Sequence, residues 1–593
     1  MAEKRSIKYF ICYQYVYQKV LLFKVKQYVR DTTLSQFKRC QKMKLTLFFL
    51  LNVLMTCLSA QGIHPWEVTQ LTFRAKESYK NPYDNILISG IDLLQVKFSG
   101  ISGPANGKEI NIVGCWDGED RWVVNFSAPD AGTWKYESQS SDSGMNGIKG
   151  ELKVKPWSEE SLEVNATRRG LIQVENKGVS PGHYFKYSDG TPFLWVGDTW
   201  WNWTKRSIDF NTFKELVDDR SDKGFNVGQL FVPGNGWGSE SSLFVGKDYN
   251  QLDPSHVQHV ENMIKYANEK GITVWIHAWW SRPNIDQKIG AEKMLRWWKY
   301  LINRFGAYNV IWTLAGEYNM HNNGGFDLSF WNELGQYVKA NDPYHRIVSI
   351  HNTPPFWDGG ADAPQWSTGQ VLHDQTWMDY NQSQTGHGRY ANEMIPKVVS
   401  ASYQLTPPKP IVVTEPWYEF VEGNPTGKDV RLAIWGSILS GAAGHTYGGG
   451  HVWLAHTPAS PAGGGVWPLE VEFSRTTHDY EGAVSMEVMS KFLRKTEWWK
   501  MSPHPELVTD YPQPFCLANP GEEYIIYLRY GGYLSLDLNA FDDTFEYAYL
   551  DPSNGELGEF ETVRGGDLFQ TRSPGGYPGT EHFKDWVLWV RKQ

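Results

Sequence analysis

Between about Leu171 and Met501 the chain alternates short apolar runs with longer stretches whose apolar residues recur every three or four positions. That alternation is the signature of buried parallel strands joined by amphipathic helices. Eight strands are expected: Phe193 to Asp198, Asn226 to Val232, Thr273 to His277, Val310 to Gly316, Arg346 to His351, Met378 to Gln382, Ile411 to Glu415 and Gly444 to Tyr447. Helices fall between them, for instance Pro254 to Lys270 behind an Asp253 cap, Ala291 to Phe305 and Asp429 to Ser440. Eight β/α units in one stretch favour a closed (β/α)8 TIM barrel over an open sheet.

On either side the period changes to two. Runs such as Leu94-Gln95-Val96-Lys97-Phe98 and Trp122-Val123-Val124-Asn125-Phe126 are separated by turns at Asn106-Gly107, Asp117-Gly118 and Asp130-Ala131-Gly132. After Met501 short strands return, among them Tyr524 to Leu528 and Asp585 to Val590. Each flank reads as an antiparallel β-sandwich. The expected architecture is multidomain: an N-terminal β-sandwich over 61–158, the barrel over 168–500 and a C-terminal β-sandwich over 501–593.

The first 60 residues read as a leader rather than as fold. Met43-Lys44, the apolar stretch Leu45 to Leu54 and the small residues Leu58-Ser59-Ala60 have the order of a signal peptide over 43–60, with cleavage expected after Ala60. Met1 to Lys42 shows no helical or strand period, which suggests an upstream start codon. Cys57 stands where a lipoprotein signal places its lipidated cysteine, but Thr56 before it is larger than such signals carry. Export to the periplasm or the medium without a lipid anchor is therefore the expectation.

Composition narrows the function classes. The formal charge of -9 is mild for 593 residues and no basic stripe marks a nucleic-acid footprint. Past the leader no run of apolar residues is long enough to span a bilayer, so no integral membrane segment is expected. Only Cys115 and Cys516 remain outside the leader, too few for a disulfide framework or a cysteine metal site. No His-Glu spacing suits zinc and no glycine loop is placed to cradle phosphate; Ala462-Gly463-Gly464-Gly465 reads as a plain loop. Neither a metal nor a cofactor is expected. The chain holds 28 Trp, 31 Tyr and 28 Phe, more than its cores need, and aromatic faces are ready platforms for sugar rings.

In a (β/α)8 barrel the chemistry sits at the carboxyl ends of the strands. Those ends read Gly197-Asp198-Thr199-Trp200-Trp201, then Phe231 before Pro233 to Trp237, His277-Ala278-Trp279-Trp280, Ala315-Gly316-Glu317-Tyr318-Asn319, His351-Asn352, Gln384-Thr385-Gly386-His387, Glu415-Pro416-Trp417 and Tyr447-Gly448-Gly449-Gly450-His451. Glu317 and Glu415 each close a strongly apolar strand, the fourth and the seventh, and both carboxylates should project into the barrel mouth. Cleaving a glycosidic bond needs such a pair: one carboxyl protonates the departing oxygen while the other attacks, or activates water at, the anomeric carbon. Asp198, His277, Asn319, His351, His387 and Tyr447 are candidates to bind sugar hydroxyls or orient Glu415. Trp200, Trp201, Trp237, Trp279, Trp280, Trp417 and Trp453 are candidate cleft walls.

The central region resembles the apiosidase-like glycoside hydrolases. The resemblance rests on Pro192 to Trp200, Val310 to Asn319, Gln384 to His387, Val413 to Pro416 and Leu439 to Gly448, in order along the whole barrel. The segment Val113 to Gly118 through Gly132 to Tyr136 resembles the β-sandwich that often precedes such barrels. Carried over by position, the resemblance implies Glu317 as acid/base and Glu415 as nucleophile of a retaining double displacement on a plant cell-wall polysaccharide, with the carboxyls about 5–5.5 Å apart. The family also uses aspartate at the acid/base position, so the sugar itself is not inherited along with Glu317. Two alternatives stand beside this: an endo-β-glycanase of cellulase type, which shares barrel and carboxylates, and a non-catalytic carbohydrate-binding protein, which should lack one of the two.

Overall fold

The computed structural model describes residues 63–84, 93–177, 180–232, 242–320, 325–355, 365–421, 423, 425–455, 478–575 and 584–593. The leader, Trp237 and the run Ala462 to Gly465 lie outside the described residues. The barrel strands are Trp195–Trp200 (β1), Val227–Phe231 (β2), Thr273–His277 (β3), Val310–Thr313 (β4), Val348–Ser349 (β5), Asn381–Gln384 (β6), Ile411–Glu415 (β7) and Gly444–Tyr447 (β8). Their order in the sheet is β5-β4-β3-β2-β1-β8-β7-β6, and the ladders are parallel. Between β5 and β6 the seam is drawn together by Asp379 N donating to Val348 O at 2.9 Å and Ser349 Oγ to Tyr380 O at 2.7 Å. The result is a near-closed eight-strand TIM barrel.

Helices Phe210–Asp222 (α1), Pro254–Glu269 (α2), Pro283–Phe305 (α3), Leu328–Asn341 (α4), Arg389–Tyr403 (α5), Gly427–Leu439 (α6) and Glu481–Leu493 (α7) surround it. Asp253 caps α2 as expected, accepting from Ser255 N and His256 N. Helix α3 is two helical stretches joined at Gly290, whose backbone (φ 66°, ψ 165°) is not helical; the second stretch is the one expected over Ala291 to Phe305. β6 begins at Asn381 rather than Met378 and runs on to Gln384, a polar strand that apolar patterning places too early.

Two cores meet across each barrel strand. Facing out, Trp200, Leu230, Val274, Ile276, Val310 and Trp312 pack against the helices in one large cluster. Facing in, Trp195, Val227, Trp275, Ile311, Tyr380 and Val412 fill the lower barrel, with Trp195 and Trp275 edge to face at 4.9 Å. A small sheet of Ile172–Val174, Phe185–Tyr187 and Pro192–Phe193 adds Phe185 and Phe193 to that plug from beneath. Each fully buried apolar side chain contributes about 1.5–3 kcal/mol. The plug fills the end of the barrel opposite the carboxyl ends of the strands.

The flanks are β domains. In the N-terminal one, a three-stranded and a four-stranded antiparallel sheet share a core that includes Phe73, Val96, Phe98, Trp122, Phe126 and Trp134. In the C-terminal one, a six-stranded sheet packs on α6 and α7 through Trp435, Phe492, Tyr527 and Trp589. Cys115 and Cys516 are buried free thiols. Among the described residues no helix is long and apolar enough to cross a membrane.

Buried charge fixes the N-terminal domain to the barrel. Arg304 of α3 reaches Asp117 Oδ1 at 2.8 Å and Glu261 Oε2 at 2.6 Å, and Asn125 Nδ2 donates to Glu261 Oε1 at 2.6 Å. Removing one partner of such a group leaves uncompensated buried charge, which costs about 3–5 kcal/mol. Arg304→Ala is expected to lower the thermal midpoint and to release the N-terminal sheets early in limited proteolysis. An unchanged midpoint and digest would remove this network from the account.

Candidate active site

Glu317 is delivered by the turn that leaves β4. Gly316 pairs with Trp280 in an isolated parallel bridge, its N donating to Trp279 O at 2.8 Å and its O accepting from Ser281 N at 3.1 Å. A Cβ on Gly316 would overlap the six-membered ring of Trp280, so glycine is required for that indole to lie there. The next residue, Glu317, takes a left-handed backbone (φ 47°), a conformation that costs a non-glycine residue free energy and recurs at functional sites. Its Oε2 accepts from Trp280 Nε1 at 2.9 Å and its Oε1 from Gln384 Nε2 at 3.2 Å.

Glu415 ends β7, in register with Gln384 of β6 at a shift in the ladder. Two imidazoles hold it: His351 Nε2 lies 3.2 Å from Oε2 and His387 Nε2 lies 3.3 Å from Oε1. His387 rides between Gly386 (φ 85°) and Gly388 (φ 139°), positions where a side chain would be strained. Its Nδ1 accepts from Tyr418 N at 3.4 Å, which assigns the ring proton to Nε2, facing Glu415. Behind His351, Nδ1 meets Thr414 Oγ1 at 3.1 Å and Gln382 Oε1 at 3.3 Å.

The two carboxyls are both buried, 9% and 6% exposed, yet they titrate in opposite directions. Burial, followed by the charge of Glu415, pushes the carboxyl of Glu317 up to about 7, against the smaller pull of His351, Gln384 and Trp280. Burial also pushes Glu415 up, but the hydrogen bonds and charge of His351 and His387 outweigh it and hold the group at about 2. One carboxyl is therefore an acid poised near neutrality and the other a fixed carboxylate.

Aromatic rings wall the chamber. Trp201, Phe231, Trp280, Tyr418 and Trp453 form one cluster, with Trp201 edge to face against Trp280 at 5.3 Å and its Nε1 donating to Tyr418 Oη at 3.2 Å. His277 lies 4.6 Å from Trp201 and 5.4 Å from His351, both edge to face, and neither of its ring nitrogens has a hydrogen-bond partner among the described residues. Burial, then the neighbouring His351, pushes its pKa well below the usual imidazole range, so it is neutral. Among the described residues no group of three or more His, Cys, Asp or Glu is placed to hold a metal ion.

The structure thus brings Glu317, Glu415, Trp201, His277, His351 and His387 together. It gives six other expected site residues contacts elsewhere. Asp198 points outward and accepts from Arg220 Nε at 2.7 Å and Trp200 Nε1 at 2.8 Å, and Trp200 itself packs on Phe213. Trp279 sits in the outer core and donates to Asp286 Oδ1 at 2.6 Å. Tyr447 packs with Val196 and Met486, and its hydroxyl donates to Glu419 Oε2 at 2.6 Å. Asn319 braces a loop, accepting from Thr353 N at 2.8 Å, and the Trp417 indole donates to Val421 O at 2.8 Å. Of the partners of Glu317, Trp280 is a cleft wall expected from the sequence, whereas Gln384 stands at the end of the sixth strand with no role assigned to it.

A plugged TIM barrel with one poised carboxylic acid and one ionised carboxylate at the carboxyl ends of its strands is the framework of a glycoside hydrolase. The profile of the apiosidase-like catalytic domain matches residues 180–500, more than half the chain, and a domain of unknown function, DUF5060, matches residues 62–141. The chain belongs to the apiosidase-like family of glycoside hydrolases. Among solved structures it is similar to a glycoside hydrolase family 5 protein of Bacteroides vulgatus ATCC 8482, with a TM-score of 0.61 and 19% identity over 72% of this chain and 95% of that one. It is also similar to a second protein of that organism, described as a candidate glycoside hydrolase, with a TM-score of 0.67 and 18% identity over 90% of this chain and 100% of that one. At these identities the likeness shows the fold. No curated protein matches the chain.

Proposed function

We propose that the enzyme cleaves glycosidic bonds in a plant cell-wall polysaccharide by retaining double displacement. Glu415 attacks the anomeric carbon and forms a glycosyl ester as the bond to the leaving oxygen breaks, and Glu317 gives that oxygen its proton. Water then attacks the anomeric carbon, Glu317 takes the water's proton, and the bond from that carbon to Glu415 breaks so that Glu415 departs as carboxylate. The observation that carries this reading is the split in protonation: a nucleophile held at about 2 by two imidazoles beside an acid raised to about 7. Family membership supports the substrate class, and the aromatic walls Trp201, Trp280 and Trp453 suit the faces of sugar rings.

The mature protein is also proposed to be exported and to begin near Gln61, on the strength of the signal-like order of residues 43–60. N-terminal sequencing of the exported protein tests it, and recovery of Met1 to Lys42 in that protein would refute it.

Truncation of each glutamate separates their roles. Glu317→Ala is expected to lose about 10²–10⁴-fold on cell-wall glycans and much less on an activated aryl glycoside, whose leaving group needs no proton. Glu415→Ala is expected to fail on both. Added azide then gives a glycosyl azide of retained configuration with Glu317→Ala and of inverted configuration with Glu415→Ala. The opposite pair of products would exchange the two roles, and no turnover of any glycan in a broad panel by the wild type would remove the catalytic reading.

A further inference from the structure

The two oxygens of Glu317 face chemically different partners. Oε2 faces the Trp280 indole at 2.9 Å, and an indole N–H only donates. Oε1 faces the side-chain amide of Gln384 at 3.2 Å, which has a donor at one end and an acceptor at the other. Gln384 is 2% exposed, and its amide oxygen has no hydrogen-bond partner among the described residues. Its backbone is pinned on both sides: Gln384 N donates to Asn352 Oδ1 at 3.1 Å and Asn352 Nδ2 donates to Gln384 O at 3.2 Å. The amide is thus anchored in place, while turning it over breaks no bond at its far end.

A retaining cycle asks Glu317 to be an acid in one half and a base in the other. Trp280 keeps Oε2 an acceptor in both halves, so the mobile proton belongs on Oε1. There an amide NH2 serves the carboxylate, and the amide carbonyl serves the acid.

We propose that Gln384 is a two-state positioning residue, offering its NH2 to the carboxylate of Glu317 and its carbonyl to the acid, and that with Trp280 it places the transferable proton on Oε1. This rests on Glu317 being the acid/base. With its NH2 toward Glu317 the amide lowers that group's proton affinity, and turned over toward the acid it raises it, so a partner equally good in both orientations leaves the affinity unchanged while holding the side chain still. A donor-only partner such as Trp280 favours the carboxylate. The titratable groups of the same chamber are Glu415 on β7, His277 on β3, His351 after β5, His387 after β6 and Tyr418 after β7, and the variants below leave all of them in place.

The test is the pH dependence of kcat/KM on an aryl glycoside that the wild type turns over and whose poor leaving group needs protonation, so that the alkaline limb reports Glu317 in the free enzyme. Glu317→Ala must first abolish that limb; if the limb survives, the acid/base reading falls and takes this inference with it. Given that control, Gln384→Met is expected to lose about tenfold in kcat/KM with the limb within about 0.3 pH units of wild type, and Gln384→Leu serves if the methionine variant melts early. Trp280→Phe, which keeps most of the ring and loses the N–H, is expected to move the limb up by about one pH unit. A limb that moves up in Gln384→Met as it does in Trp280→Phe would make Gln384 a fixed donor, and full activity would make it a bystander. An unmoved limb in Trp280→Phe would overturn the division of labour between the two oxygens.

Discussion

Two buried carboxyl groups lie close enough to feel each other's charge, and the site is organised around the cost of ionising both there. Burial alone penalises the charged form of each, and each charge penalises the other. The chain resolves this by unequal provision of donors. Glu415 receives two imidazoles, His351 and His387, and stays a carboxylate. Glu317 receives one indole and one amide, which is too little to offset its burial and the charge of Glu415, and it keeps its proton to about neutrality. A protonated and an ionised carboxyl thus arise from the same residue type.

Much of the surrounding architecture serves that inequality. The aromatic plug of Trp195, Trp275 and Tyr380 fills the barrel beneath the carboxyls. Gly316 lets Trp280 lie against the turn before Glu317, and the glycines on either side of His387 let its loop turn back over Glu415. Thr414 and Gln382 hold the far nitrogen of His351, so the imidazole meets Glu415 in a fixed orientation. Outside the barrel, the ion pairs of Arg304 fix the N-terminal domain to α2 and α3.

Much of this was legible in the sequence. The apolar runs that end at Glu317 and Glu415 disclose both the strands and the pair, because a buried parallel strand has little use for a carboxylate at its carboxyl end except at a site. The facing of neighbours was harder. Along β1, Trp195 points inward and Trp201 just beyond it enters the chamber, whereas Val196, Asp198 and Trp200 point outward, so position near a strand end does not decide access; parity does. Past the end of β3 even parity fails: His277 is inside, yet Trp280 rather than Trp279 enters the chamber, since the chain leaves the ladder and re-pairs at Gly316. Gln384 is marked in the sequence as a strand end but not as a partner of Glu317, because β6 is built from polar residues whose partners lie on other strands, contacts that periodicity does not encode.

The split between the two glutamates is open to direct titration. Infrared spectra recorded across pH identify the protonated carboxyl of Glu317 by the band that Glu317→Gln removes. The account predicts that this band is lost around pH 7 in the wild type and at distinctly lower pH in Glu415→Gln, because removing the neighbouring charge lowers the pKa of a buried acid. A band that disappears near pH 4.5 in both proteins would contradict it.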